Sequence, residues 1–342
     1  MTALVVLAAG PATSLQDAGR FGWQRYGVGP AGAMDRRALA LANALAGNPP
    51  GSAAIEFALA GGRLRVDGAA ARIALAGADC TLKIDGAAVP ALASATARDG
   101  QTVEVGPARA GVFAYLAVAG AFTIMPTLGS LSLHHRTGLG GLEGRSLRPG
   151  DRLPLRLPEP SGHELALPSP PRGQTEPIRV VLGPQDDHFT PAALATLVNG
   201  AYAISDQADR MGLRLNGPKL EHSAKGYNIV SDGIPTGAIQ VPGNGLPLIL
   251  LADRQTTGGY PKIATVISSD LPRLVQCRPG TSLRFAVVDR AEAVRIARAD
   301  EDAFRKLLAS IRPAGLAALD SSELLALNLI DGVVDAQDAD CG

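Results

Sequence analysis

Cysteine is scarce in this chain of 342 residues: Cys80, Cys277 and Cys341 are its only three. They are odd in number, far apart and in no CxxC pair, which excludes a disulfide framework and a zinc site of the usual spacing. That usage fits a reducing cytoplasm. Excess charge is also missing, with 32 basic residues against 32 acidic ones. No overall field draws the chain to nucleic acid or to an anionic membrane, so a small molecule or another protein is the expected partner. Metal ligands are few. His134 and His135 are adjacent and would face opposite sides of a strand, the other three histidines are scattered, and no metal is expected.

Long apolar helices are missing as well. The opening run Leu4 to Ala9 has no basic residue before it, and reads as a first strand rather than a secretory signal. Ala110 to Leu133 carries no charge and is long enough to cross a bilayer if helical. Gly111, Gly120, Gly129 and Pro126 interrupt it, however, and the expectation is two buried strands with a turn. Several catalytic signatures are absent too: there is no GxxxxGK[ST] loop, GxSxG elbow or HExxH pair. No Met-Lys-Met type of biotin attachment site exists, so the chain carries no covalent biotin. If ATP or carboxybiotin is used, another polypeptide or an atypical pocket brings it.

What the chain does have is strand. An apolar fraction of 46% is distributed over short alternating or β-branched runs, such as Gly62 to Asp67, Ala71 to Ala76, Thr81 to Asp85 and Thr102 to Val105. Glycine and proline separate them, a pattern of barrels or sandwiches, so the expected fold class is mainly β with few helices. Helical periodicity is confined to Asp35 to Leu45, Pro191 to Val198 and Ala291 to Ile311. Asp35 stands as an N-cap for the first, and Gly47 lies just past its end. Seven prolines fall between Pro154 and Pro177, which reads as a domain boundary. The expected units are residues 1–160, residues 175–312 and a tail, 313–342, with an apolar stretch from Leu324 to Val334.

Two polar stretches stand out. Asp253 to Lys262 lies between apolar runs, and so connects two buried strands. A plain turn needs only a few small residues, yet this one presents Asp253, Arg254, Gln255, Thr256, Thr257, Tyr260 and Lys262 beside Gly258 and Gly259. The second stretch, Gln16 to Asp35, gathers five glycines and the only tryptophan with Asp17, Arg20, Arg25 and Tyr26, and feeds a helix N-terminus that can hold an anion. A satisfied polar network closing a barrel end, and a loop ordered by an Asp17–Arg20 contact around a buried Trp23, are the plainer alternatives. Gln240 is expected to reach Asp253 across a hairpin centred on Gly243 to Gly245. Arg210 to Pro218 is a third polar, glycine-bearing segment that reads as a strand entering a turn, and as a site element as readily as not. Gly138 to Gly144 has the wrong glycine spacing for a dinucleotide loop and reads as a turn or barrel corner.

Thr13 to Arg20 with Gly32-Ala33-Met34-Asp35, then Gly140 to Arg145, then Ala252 to Pro261 resemble the signature of the family that forms the C component of 5-oxoprolinase. That family is also called KipA-like, allophanate hydrolase subunit 2, or biotin-dependent carboxyltransferase domain. The resemblance covers nearly the whole chain, including Asn328-Leu329-Ile330 and Gly332-Val333-Val334. It implies two cyclophilin-like β-barrel domains, a KipI-like B component and an A component resembling a TIM-barrel hydrolase, and the ATP-dependent opening of 5-oxo-L-proline to L-glutamate. Two other activities travel with it: carboxyl transfer from biotin, as in urea carboxylase, and non-catalytic binding of a KipI-like kinase inhibitor. Under the lactam reading, Arg20 and Arg254 hold a carboxylate or phosphate, Thr256 and Thr257 donate to developing oxyanions, and Asp17 or Asp253 manages the proton. Gln16, Tyr26, Gln240, Gln255, Gly258, Gly259, Tyr260 and Lys262 complete the expected binding surface. The departures from the pattern are His134 and His135, where smaller polar residues are expected, and Phe122 to Pro126.

Overall fold

Alternation of apolar and polar residues becomes pairs of antiparallel strands throughout the computed structural model, which describes residues 2–158, 163–168 and 177–314. Strand exceeds helix roughly two to one, 35% against 18%, so the fold is mainly β. The strands expected at Gly62–Asp67 and Thr102–Val105 form with those bounds and pair with each other. In the first half a seven-stranded sheet faces a five-stranded one. Leu4, Val6, Val66 and Val103 of the larger sheet meet Ile55, Phe57, Ile73 and Leu116 of the smaller in one buried cluster.

The charge-free segment is explained by its first strand, Ala110–Val118. Successive side chains of a strand face opposite ways. Leu116 and Val118 point into the core between the sheets, while Phe113, Tyr115 and Ala117 point into a second core under helix α1, Arg36–Ala46. A short strand, Ala121–Phe122, follows. Both faces of the long strand are covered, so neither tolerates charge. No helix among the described residues is long and apolar enough to cross a membrane.

α1 starts where its cap predicts. Asp35 accepts from the N–H groups of Arg37 (3.1 Å) and Ala38 (3.0 Å), and Gly47 ends the helix at φ 86°. Among the described residues three further helices follow: α2, Pro191–Asn199; α3, Leu271–Val275; and α4, Arg290–Ala309. α3 has no counterpart in the sequence reading, because five residues are too few to show a period.

In the second half an eight-stranded sheet nearly closes on itself. Its two edge strands, Ser282–Leu283 and Phe285–Val287, are consecutive in the chain and separated only by Arg284. The second-half core is continuous with the one beneath α1: Leu39 and Leu45 belong to the same buried cluster as Ile239, Ile249 and Ile263. Gln276 fastens the halves. Its Nε2 donates to Asp35 Oδ2 (2.8 Å) and to the Phe113 carbonyl (2.9 Å), and its Oε1 accepts from the N–H groups of Val112 and Phe113. Leaving such groups unpaired costs about 1–3 kcal/mol. Gln276→Ala is therefore expected to lower unfolding stability by that amount, read from the urea midpoint at unchanged slope; an unchanged midpoint contradicts the latch. Cys341 and the apolar stretch from Leu324 to Val334 lie outside the described residues.

Candidate functional site

The Asp253 to Lys262 stretch leaves the strand Leu248–Leu250 and re-enters the sheet at Lys262–Val266, between two apolar runs as expected. Its first two polar side chains turn inward, and Asp253 and Arg254 are only 2% and 4% exposed. Buried charge is costly unless it is paired or hydrogen-bonded. Asp253 is paired: Arg210 donates through Nε to Oδ2 and through Nη2 to Oδ1, both at 3.0 Å, a bidentate fork. The same guanidinium donates to Glu56 Oε1 and to the Gly32 carbonyl (2.6 Å). One cation thus ties the second half's loop to a strand and a loop of the first. Glu56 Oε2 also accepts from the Tyr115 hydroxyl (2.7 Å) and the Met34 N–H (3.0 Å), and the Tyr115 oxygen accepts from the Asp35 N–H (2.8 Å).

Burial pushes the Asp253 carboxyl up, but the charge and hydrogen bonds of Arg210 outweigh it and hold the group well below the usual carboxylate range. A carboxylate so stabilised is a poor proton acceptor. The expectation that Asp253 itself manages a proton gives way to a fixed negative charge.

Arg254 has a different environment. Its Nε donates to the Ile234 carbonyl (2.8 Å) and its Nη1 to the Leu251 carbonyl (3.1 Å), and its ion-pair partner is missing among the described residues. Burial, with repulsion from Arg36, pushes its pKa down to about 10. Arg20, 2% exposed, likewise donates to the carbonyls of Thr127 (3.4 Å) and Ser132, and its Nη1 has no partner among the described residues. Burial lowers its pKa, against the charges of Asp17 and Asp253. Asp17 forms no hydrogen bond to Arg20. It accepts instead from the Gly19 N–H (2.7 Å), the Leu131 N–H (2.6 Å) and the hydroxyls of Ser130 (2.7 Å) and Ser132 (2.5 Å), which fixes one loop against another. Gly140 belongs to this contact, since a methyl there would overlap the Ser132 carbonyl and Arg20 Nη2. That is the structural use of the Gly138 to Gly144 motif.

His134 and His135, set aside in the sequence, sit beside Asp253. The His135 N–H donates to Asp253 Oδ2 (3.2 Å), and its ring Nδ1 lies 3.4 Å from the same oxygen. His134 is buried, its pKa lowered by desolvation against the pull of Asp253. Buried polar atoms without partners among the described residues gather around this point: Arg20 Nη1, Gln16 Oε1, His134 Nδ1 and both ring nitrogens of His135. Each such atom costs about 1–3 kcal/mol in a protein interior. Gln16 is tied in through its Nε2, which donates to the Leu133 carbonyl at 3.0 Å.

The remaining expected residues divide. Gln240 does not reach Asp253. It stands in register with Lys262, so its Nε2 donates to the Tyr260 carbonyl (3.1 Å). Lys262 is 2% exposed and pairs with Asp232 at 2.8 Å. Gly258 packs against the Gln240 amide, where a β-carbon would sit at 2.8 Å, and the Gly259 carbonyl accepts from Ile229 N–H. The Thr256 carbonyl accepts from the Ile234 N–H (3.1 Å). Thr257, Gln255 and Tyr260 are exposed, and Gln255 lines a small pocket with Arg136 and Met211. Trp23 is at the surface rather than buried, and Tyr26 is 63% exposed beneath the Arg25 guanidinium. The helix N-terminus after the glycine loop is occupied by the Asp35 carboxylate, so its N–H groups are not open to an outside anion. A larger cleft of about 990 Å³ lies between α4 and the strand Ala71–Asp79; Asp35 borders it, while Arg20, His134, His135, Asp253 and Arg254 do not. Among the described residues no cluster of His, Cys, Asp or Glu is placed to hold a metal.

A family model described as carboxyltransferase domain, subdomain A and B, matches residues 26–287. The chain belongs to this family. It is similar to the C component of the 5-oxoprolinase of Escherichia coli K12, at 36% identity over 315 residues that cover 90% of this chain and 97% of that one. A putative urea carboxylase of Emericella nidulans is 34% identical over 301 residues, 83% of this chain but only 24% of the larger protein. The crystal structure of the K. lactis urea amidolyase superposes with a TM-score of 0.81 at 28% identity, covering 94% of this chain and 20% of that one. The chain therefore spans nearly all of the bacterial protein and about a fifth of the fungal amidolyase. Carboxyltransferase domains as neighbours accord with the mainly β, barrel-like architecture.

Proposed function

We propose that this chain is the C component of an ATP-dependent 5-oxoprolinase, and that its seam around Asp253 receives the lactam. The observation that carries the reading is the pair of buried guanidiniums, Arg20 and Arg254, whose donors reach only backbone carbonyls. Of the anions near Arg20, Asp253 is already bound by Arg210 and Asp17 by four donors of its own loops. Such a place favours an incoming carboxylate, and 5-oxoproline carries one beside a cyclic amide.

The lactam is inert because its nitrogen donates into the carbonyl. Phosphorylation of the carbonyl oxygen by ATP makes that carbon electrophilic enough for water to attack. In this reading Arg20 and Arg254 anchor the substrate, Asp253 supplies fixed negative charge, and the Thr256–Thr257 segment borders the entrance. Asp17 holds the Arg20 loop in place through its four accepted hydrogen bonds. The nucleotide falls to the partner proteins, the KipI-like and the hydrolase-like components. Among the described residues the one helix start fed by a glycine loop is filled by Asp35. The exposed polar rim of Arg25, Tyr26 and Gln255 is the surface on which such partners would dock.

Similarity to urea carboxylase favours a second reading, carboxyl transfer from a biotin carried elsewhere. The two separate in one assay. The chain is assembled with the products of its neighbouring genes, supplied with ATP and 5-oxoproline, and followed for glutamate with and without avidin. Glutamate release insensitive to avidin is expected; loss of activity with avidin, or no release at all, removes the lactam reading.

A further inference from the structure

We propose that His135, oriented by Asp253, is the group that moves the proton at this seam. The inference rests on the lactam reading for the identity of the substrate, and on geometry for the identity of the group. Asp253 lies against His135 twice: it accepts a hydrogen bond from the backbone N–H at 3.2 Å, and ring Nδ1 stands 3.4 Å from the same carboxylate, within ion-pair range but without a hydrogen bond. Both contacts use Oδ2, the oxygen that also takes Arg210 Nε at 3.0 Å. The carboxylate is thus fixed by the guanidinium before it meets the imidazole, and its free role is orientation.

An imidazole that gives its Nδ1 proton toward a carboxylate presents a lone pair on Nε2. Nε2 of His135 has no partner among the described residues, although the atom is buried. Unpartnered acceptors at buried positions are rare outside functional sites, and catalytic hydrogen bonds are commonly long before substrate binds. The arrangement of nucleophile activator, imidazole and orienting carboxylate is a recurring solution for adding an oxygen nucleophile to an acyl carbon. Asp17 is excluded from this duty by its four donors, and Asp253 by Arg210.

The step balances without redox change. As water oxygen bonds to the activated carbonyl carbon, its proton passes to His135 Nε2. As the ring C–N bond breaks, that proton passes to the departing nitrogen and the imidazole returns to neutral. The hydroxyl proton follows to the amine, the carbon is left as an acyl phosphate, and addition of a second water expels inorganic phosphate to give the carboxylate of glutamate. The nucleoside triphosphate named above supplies the activation. Asp253, with Arg210 behind it, faces the ring; His134 and Arg136 are its neighbours on the same loop, and Arg20 and Arg210 act on His134.

Two measurements test it. In the assembled complex, His135→Gln should lower kcat for 5-oxoproline by at least about 100-fold, the range for loss of a general base, with KM within about threefold and the acid limb of the pH–kcat profile abolished. Retention of kcat within about threefold, or of the acid limb, overturns the proposal. In the full chain alone, ring ¹⁵N resonances should show the Nδ1–H tautomer of His135; the Nε2–H tautomer overturns it whatever the substrate proves to be. If the wild-type complex releases no glutamate, the lactam reading fails while the tautomer still decides the pairing.

Discussion

Replacing Arg210 with alanine is expected to cost about 3–5 kcal/mol of folding stability, the range for removing one partner of a buried ion pair. The guanidinium makes four hydrogen bonds, to both oxygens of Asp253, to Glu56 and to the Gly32 carbonyl. Its removal leaves two carboxylates, each 1% exposed at the side chain, facing each other without a cation. Denaturant titration checks this through a lower midpoint at similar slope. Arg210→Lys should recover only part of the loss, because an ammonium cannot reproduce the planar fork. A midpoint unchanged in Arg210→Ala would mean that the network contributes nothing.

The same pair predicts an acid limit. The folded-state pKa of Asp253 lies below its ordinary 3.8. An acid with a depressed folded value stabilises the fold above its unfolded pKa and loses that contribution as pH falls through the folded one. Wild-type stability should therefore fall below about pH 4, and the Arg210 variant should show a weaker fall over that window.

Arg254→Met should have the opposite signature, a large loss of activity with little or no loss of stability. Arg254 is desolvated and repelled by Arg36, so its folded pKa of about 10 lies below the ordinary 12.5. For a base the sign is clear: charging it in place costs stability at every pH below about 10, and that cost disappears as pH rises toward 12.5. The carbonyls it leaves are not abandoned, because Ile234 also accepts from Gln24 (3.3 Å) and Leu251 from the Arg254 N–H (3.3 Å). Activity should fall about 10²–10³-fold, the scale on which a preorganised charge acts in a site closed to water. Measuring glutamate release and the unfolding midpoint on one preparation decides it; loss of both together would make Arg254 a structural residue.

Local structure was legible because it depends on neighbours in sequence. Alternation placed Gly62–Asp67 and Thr102–Val105 to the residue, and the Asp35 and Gly47 signals bounded α1. The inward-facing Asp253 and Arg254 were legible as a concentration of polar groups where a turn needs none. Their partners were not. Arg210 meets Glu56 across 154 residues, and His135 meets Asp253 across 118. No local period encodes such meetings. Adjacent histidines read as opposed on a strand, but their segment is a turn closed by a His134–Leu139 bridge, which brings both toward the second half. Gln240 failed to reach Asp253 because a register shift sets it opposite Lys262. The glycine loop looked like an anion cradle because the sequence cannot show that its own aspartate fills the helix start.

On the function proposed above, the cationic seam of this chain receives the carboxylate of 5-oxoproline. Calorimetric titration of 5-oxoproline into the assembled complex without ATP, wild type against Arg20→Gln with Arg254→Gln, tests it most directly. A Kd raised at least about tenfold is expected, the roughly 1.4 kcal/mol that loss of even one charged contact exceeds. Equal affinity in the two complexes would contradict it and move the substrate to a partner protein.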